Sequence, residues 1–220
     1  MSLSSLKQRL TARLEPVAGW QPDRTAGRSD FDLNPQENRP ARTLKLAAVL
    51  VPVIARPDGA TVLLTRRSDQ LASHPGQIAF PGGRLDAGET AAVAALREAW
   101  EEVALVPDRV EVLGLGDAYE TGTGFLVTPV VGWLNVPPEV KAAPDEVAEL
   151  FEVPWDFLMN RLNHRQDFYD REGEPRRWFW AMPWEERYIW GVTAGIVRAL
   201  RTRLYGNEPE PAVATAEDAA

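Results

Sequence analysis

Three glutamates within five residues, Glu98, Glu101 and Glu102, have the type and spacing to do chemistry. The apolar spacing over 90–103 predicts a helix, which turns about 100° per residue. On it Val93, Leu96, Trp100 and Val103 form one stripe expected to face the core, with the three acids on the other side. Side chains three and four positions apart are helical neighbours, so these carboxylates can converge on a shared ion. Without a cation each such like-charge pair costs roughly a few tenths of a kcal/mol. On an arbitrary helix the grouping is most often a solvated acidic face. Holding divalent ions, it would instead neutralise a polyanion and lower the pKa of a bound water. Arg97 can pair with Glu101 at i+4 or with Glu89 and so orient a carboxylate; the plain alternative is a surface ion pair.

The rest of the composition narrows the ion. The chain has no Cys and only His74 and His164. Thiolate sites are therefore excluded and a multi-histidine zinc site is hard to build, leaving carboxylates and the hard ions they prefer, Mg²⁺ or Mn²⁺. A formal net charge of −8 argues against nucleic acid as a partner, because such binding needs a basic footprint. Leu44 to Ala55, the most apolar stretch, is too short for a bilayer and contains Pro52, so no membrane span is expected. Met1 to Pro16 lacks the apolar block of a secretory signal and reads as a short amphipathic helix, giving a cytoplasmic expectation.

The elements that must position the glutamates follow from patterning. Residues 21–42 are polar with scattered Pro and Gly, an extended arm. Lys45 to Ile54 and Thr61 to Arg66 are strands joined through Asp58-Gly59, a hairpin signal. Pro81-Gly82-Gly83 makes a tight turn before the helix, and Gly82, lacking a side chain, lets its carbonyl approach an ion. Further strands are expected at Val110 to Leu115, Thr128 to Leu134, Ala148 to Val153, and Gln166 to Tyr169 paired with Arg176 to Ala181. Ile189 to Leu204 reads as a closing helix. Irregular interleaving favours a mixed sheet with helices on both faces. Three segments result: 1–43 as helix and arm, 44–204 as the catalytic domain, and 205–220 as a disordered acidic tail.

Gly83, Glu89, Arg97-Glu98 and Glu101-Glu102 stand at the spacing of the Nudix box, matching six of its seven specified residues. The chain therefore resembles the Nudix hydrolases, which implies an α/β/α sandwich and metal-dependent cleavage of a phosphoanhydride. Glu98 and Glu102 become the surest ligands, and Glu98, Glu120 and Glu146 the candidates for the base; Glu120 and Glu146 are otherwise expected to be exposed loop acids. Ala104 departs from the pattern's Gly, a change that costs about 1 kcal/mol if a left-handed turn is kept and that Pro107 can circumvent.

Leu63-Leu64-Thr65-Arg66-Arg67-Ser68, His74, Gly76 and Phe80-Pro81-Gly82-Gly83 look like the signature of the coenzyme A pyrophosphatase branch. Ala72 departs from it, standing where a basic residue or Gln is usual. The likeness continues through Thr123-Gly124-Phe125, Glu146-Val147 and Ile189-Trp190-Gly191. It implies hydrolysis of coenzyme A or its acyl derivatives to 3',5'-ADP and 4'-phosphopantetheine. Arg66, Arg67 and Arg84 can supply planar donors to phosphate; strand alternation turns only one of the first two to the cleft, and the resemblance favours Arg67. His74 can bond a phosphate or fix its loop. Trp178, Phe179 and Trp180 can stack on adenine, but strand alternation turns at least one inward and core packing is the expectation; His164 is expected to be superficial. Other Nudix substrates, namely ADP-ribose, a dinucleotide or a nucleoside triphosphate, are the enzymatic alternative. A silent Nudix domain that senses a nucleotide or binds a protein is the alternative from another class. The oligomeric state is open, a homodimer included.

Overall fold

The computed structural model describes residues 1–21, 27–35, 37, 43–71, 73–170, 173 and 175–206. Ala72, the expected acidic tail beyond 206 and part of the polar arm lie outside the described residues. Leu6 and Leu10, one turn apart, are the buried side of helix α1 (Leu3–Arg13), whose N-terminus is capped by the Ser2 side chain accepting from Ser5 N–H. The arm then contributes β1 (Arg28–Ser29). Strands β2 (Lys45–Arg56) and β3 (Gly59–Arg67) form the expected hairpin, closing at Arg56 opposite Gly59. They are followed by β4 (Ile78–Ala79), β5 (Gly82–Arg84) and helix α2 (Ala91–Val103). The chain continues through β6 (Glu111–Leu115), β7 (Tyr119–Glu120), β8 (Phe125–Leu134), β9 (Val147–Pro154) and the short helix α3 (Trp155–Met159). It ends with β10 (Arg165–Tyr169), β11 (Arg177–Trp184), β12 (Arg187–Trp190) and helix α4 (Val192–Tyr205).

Strands β1, β7, β8, β2, β3 and β4 neighbour one another in that order, and β5, β6 and β9 complete a nine-stranded sheet. β2 and β8 run parallel from Lys45 opposite Phe125 to Ile54 opposite Leu134, while most other pairs are antiparallel, so the sheet is mixed as expected. β10, β11 and β12 form a separate antiparallel sheet. Alternation along β2 divides the interior: Ala47, Val51 and Val53 join the core beneath α1, α3 and α4, and Ala48, Leu50 and Ile54 join the core beneath α2. Helices therefore cover both faces.

Three expectations need correction. On α2 the residues facing the sheet are Ala91, Ala94, Ala95, Ala99, Glu102 and Val103, whereas Val93 and Trp100 are 52% and 50% exposed. Small side chains let the helix lie close on β2, and the larger Val93 and Trp100 side chains are left outside. Ile189 and Trp190 belong to β12, where Ile189 pairs with Met182, so α4 starts only at Val192. His164 is 7% exposed rather than superficial, its Nε2 lying 2.6 Å from the Leu158 carbonyl.

Candidate active site

The glycine pair and the glutamate helix are brought together by β2. Gly82 and Gly83 of β5 pair with Val49 and Ala48 of β2, and α2 packs against both strands. A β-carbon at Gly83 would collide with the Glu98 carboxylate, and one at Gly82 with the Ala48 carbonyl. Only glycine permits this approach. It places the Gly82 N–H 3.2 Å from Glu102, which accepts the hydrogen bond with a side chain 4% exposed. Thr90 caps α2, its hydroxyl accepting from Val93 N–H at 3.3 Å.

Arg97 organises the acids around it. Its Nε and Nη2 donate to both oxygens of Glu89 at 2.8 and 3.0 Å, and its Nη1 donates to Glu98 at 2.9 Å and Glu101 at 3.1 Å. Both pairings expected for Arg97 therefore form together. The guanidinium, aided by the Asp86 N–H, pulls the Glu89 carboxyl down to about 2. Glu98 and Glu102 shift the other way. Burial raises both, that of Glu102 to about 7; the Glu101 charge adds to the rise of Glu98, the Glu98 charge to that of Glu102, and the Glu146 charge to both. Gly82 N–H and the Arg67 charge oppose the shift of Glu102.

Among the described residues no group of three His, Asp or Glu is poised to hold an ion. Arg97 engages one oxygen of Glu98 and one of Glu101. The residues nevertheless fit a divalent cation: oxygen-only donors repel one another against a glycine cradle, and a cation between them would relieve that repulsion.

Glu102 and Gly82 open onto a cavity of about 650 Å³, with Arg67 and His74 also on its wall. The buried Arg67 Nε has no hydrogen-bond partner. Arg66 is not on the wall and instead pairs with Asp69 at 2.9 Å; the strand register shifts between the two arginines. Arg84 is exposed, also off the wall, and gives its carbonyl to Arg97. Glu120 is 3% exposed on β7, against the expectation of a loop acid, while Glu146 is exposed as expected.

Comparison with known proteins decides the family. The NUDIX domain model matches residues 44–178. Two curated relatives, each described as an uncharacterized Nudix hydrolase NudL, are 44% identical: that of Escherichia coli K12 over 180 residues and that of Klebsiella pneumoniae over 177. Each alignment covers 78% of this chain and 89% of the relative. The chain belongs to the Nudix hydrolase family. Nudix hydrolases act on acid anhydrides and use divalent metal ions. A crystal structure of a C. elegans Ap4A hydrolase aligns over 49% of this chain and 79% of its own at a TM-score of 0.44 and 22% identity, too partial a match to bear on substrate.

In this Nudix hydrolase the cavity also takes residues that patterning alone did not single out: Asp30, Thr121, Arg177 and Val192. They come from segments far apart in sequence, so no local spacing marks them. Trp178 and Phe179 line the cavity rather than the core, and Trp180 packs on the core as expected. No helix among the described residues is long and apolar enough to cross a membrane.

Proposed function

We propose that this Nudix hydrolase cleaves the phosphoanhydride of coenzyme A or acyl-CoA, giving 3',5'-ADP and 4'-phosphopantetheine or its acyl derivative. One observation carries the reading. The segments that resemble the coenzyme A branch, otherwise scattered, meet on a single cavity wall through Arg67, His74, Phe80, Phe125 and Trp190. Glu98, Glu101, Glu102 and the Gly82 carbonyl would hold Mg²⁺ or Mn²⁺, which supplies charge neutralisation for the phosphates and acidifies a water. Arg67 supplies a fixed positive charge, its buried Nε without a partner, in a wall where a phosphate oxygen can complete its hydrogen bonding. Glu98 is the proton acceptor in this reading, because its position in the Nudix box supports that role where Glu120 and Glu146 have no such support.

Chromatography of the products after incubation with coenzyme A and Mn²⁺, beside ADP-ribose and a dinucleotide, tests the proposal. The expected outcome is release of 3',5'-ADP that stops without metal and drops at least about a thousandfold in Glu98→Gln and Glu102→Gln, with folding retained. Cleavage of ADP-ribose but not coenzyme A would replace the substrate; full activity in both variants would remove the mechanism.

A further inference from the structure

Arg66 lies off the cavity wall, yet it is tied to a loop that reaches the wall. On β3 its partner across the sheet is Glu149 of β9, and its Nε lies 3.9 Å from the Glu149 carboxylate. Opposite charges facing each other across two strands attract. Glu149 also accepts from Arg187 of β12, whose guanidinium lies 4.5 Å from the Phe151 ring and is thereby held against the sheet. On its other side Arg66 meets the loop after β3, where its Nη1 donates to both oxygens of Asp69 at 2.9 and 3.2 Å. Arg187, Glu149, Arg66 and Asp69 thus alternate in sign from the second sheet to this loop.

The returning leg of the loop rests on that ion pair. Gly76 adopts φ 68°, and a β-carbon there would stand 3.0 Å from Asp69 Oδ1 and 3.7 Å from Arg66 Nη1, so bare backbone closes over the Asp69 carboxylate. Two residues earlier His74 adopts φ 56°, a left-handed geometry that a residue with a side chain keeps only where its surroundings hold it. Two backbone bonds supply part of the hold: Arg67 N–H donates to the Gln77 carbonyl at 2.9 Å, and Gln77 N–H to the His74 carbonyl at 3.3 Å. His74 and Arg67 are on the cavity wall; Arg66 and Asp69 are not.

We infer that Arg66 is a positioning residue for substrate binding: its ion pair with Asp69 holds the Gly76 leg of the loop so that His74 keeps its place on the cavity wall. The role rests on the reading of that wall as the substrate site. It differs from the phosphate contact that the sequence suggested for Arg66, because no atom of Arg66 has to touch the substrate. One nitrogen serves both Asp69 oxygens, so a lysine ammonium can take over here, as it could not for the fork of Arg97.

Steady-state kinetics with coenzyme A and Mn²⁺ tests the role. Arg66→Gln should raise KM about fourfold at unchanged kcat, the size expected of a partly exposed ion pair within a network. Asp69→Asn should match it, and Arg66→Lys should restore KM to within about 1.5-fold of the native value. In a His74→Ala background Arg66→Gln should add less than about 1.5-fold, since both changes remove the same contact. An equal rise with or without His74 overturns the role, as does an unchanged KM in Arg66→Gln. Hydrogen exchange gives a readout that needs no turnover: the amides from His74 to Gln77 should exchange about fourfold faster in Arg66→Gln and at the native rate in Arg66→Lys. No acceleration overturns the role whether or not coenzyme A is cleaved. Acceleration in a protein that leaves coenzyme A intact would keep the hold on the loop and reject the proposed substrate.

Discussion

Arg97 shows how one side chain can hold like charges in place. Glu89, Glu98 and Glu101 would repel one another, and the planar guanidinium answers with four directed hydrogen bonds to them. A lysine carries the same charge on a single nitrogen and cannot reproduce that fork. Arg97→Lys should therefore lower kcat at least about tenfold while KM stays within about threefold, because the carboxylates drift but the substrate contacts remain. Steady-state kinetics decides it; a rise in KM alone would show that Arg97 binds substrate instead. At this scale the box residues were legible, since their spacing is local and helical. Asp30 was not, because its place on the cavity wall depends on Tyr119 and Gly122, about ninety residues away.

The helix that carries the box ends in an unusual way. Ala104, its C-cap, adopts φ 54° and ψ 27°, the left-handed region that favours glycine, and its N–H bonds back to Ala99 and Trp100. The left-handed turn is thus kept, and Pro107 opens the next turn rather than replacing it. Ala104→Gly should raise stability by up to about 1 kcal/mol, measured as an upward shift in the urea midpoint at unchanged slope. No change would mean that the gain is offset in the unfolded chain. The position and length of α2 were readable from its periodicity, but not its orientation. Hydrophobicity ranks Trp100 and Val93 above alanine, whereas close packing against β2 selects the smaller residue. The short elements β1, β4, β5, β7 and α3 were not legible for a related reason: their few residues do not span enough of a pattern to mark them.

For the molecule as a whole, His164 couples folding to acidity. Burial, helped by the Arg198 and Arg201 charges and opposed by the bond to the Leu158 carbonyl, lowers its pKa from 6.5 to about 4. The unfolded chain then takes up a proton that the folded chain refuses, so stability is full above about 6.5 and falls as the pH drops toward 4. The loss amounts to about 3 kcal/mol. Urea unfolding at pH 7 and pH 4 should show a larger decline in the native chain than in His164→Gln; parallel declines would refute it. The class of architecture was legible, because strand and helix patterns alternate irregularly along the chain. The order of the sheet was not: the parallel match of β2 with β8 joins segments eighty residues apart, and nothing local specifies it.

That shared strand has a further consequence. β2 sends alternate side chains into both hydrophobic layers, so neither layer can loosen without withdrawing support from the other. Calorimetry should accordingly record one cooperative transition with matching calorimetric and van't Hoff enthalpies, not two. A protein wired in this way cannot shed the helix over one face as an independent module.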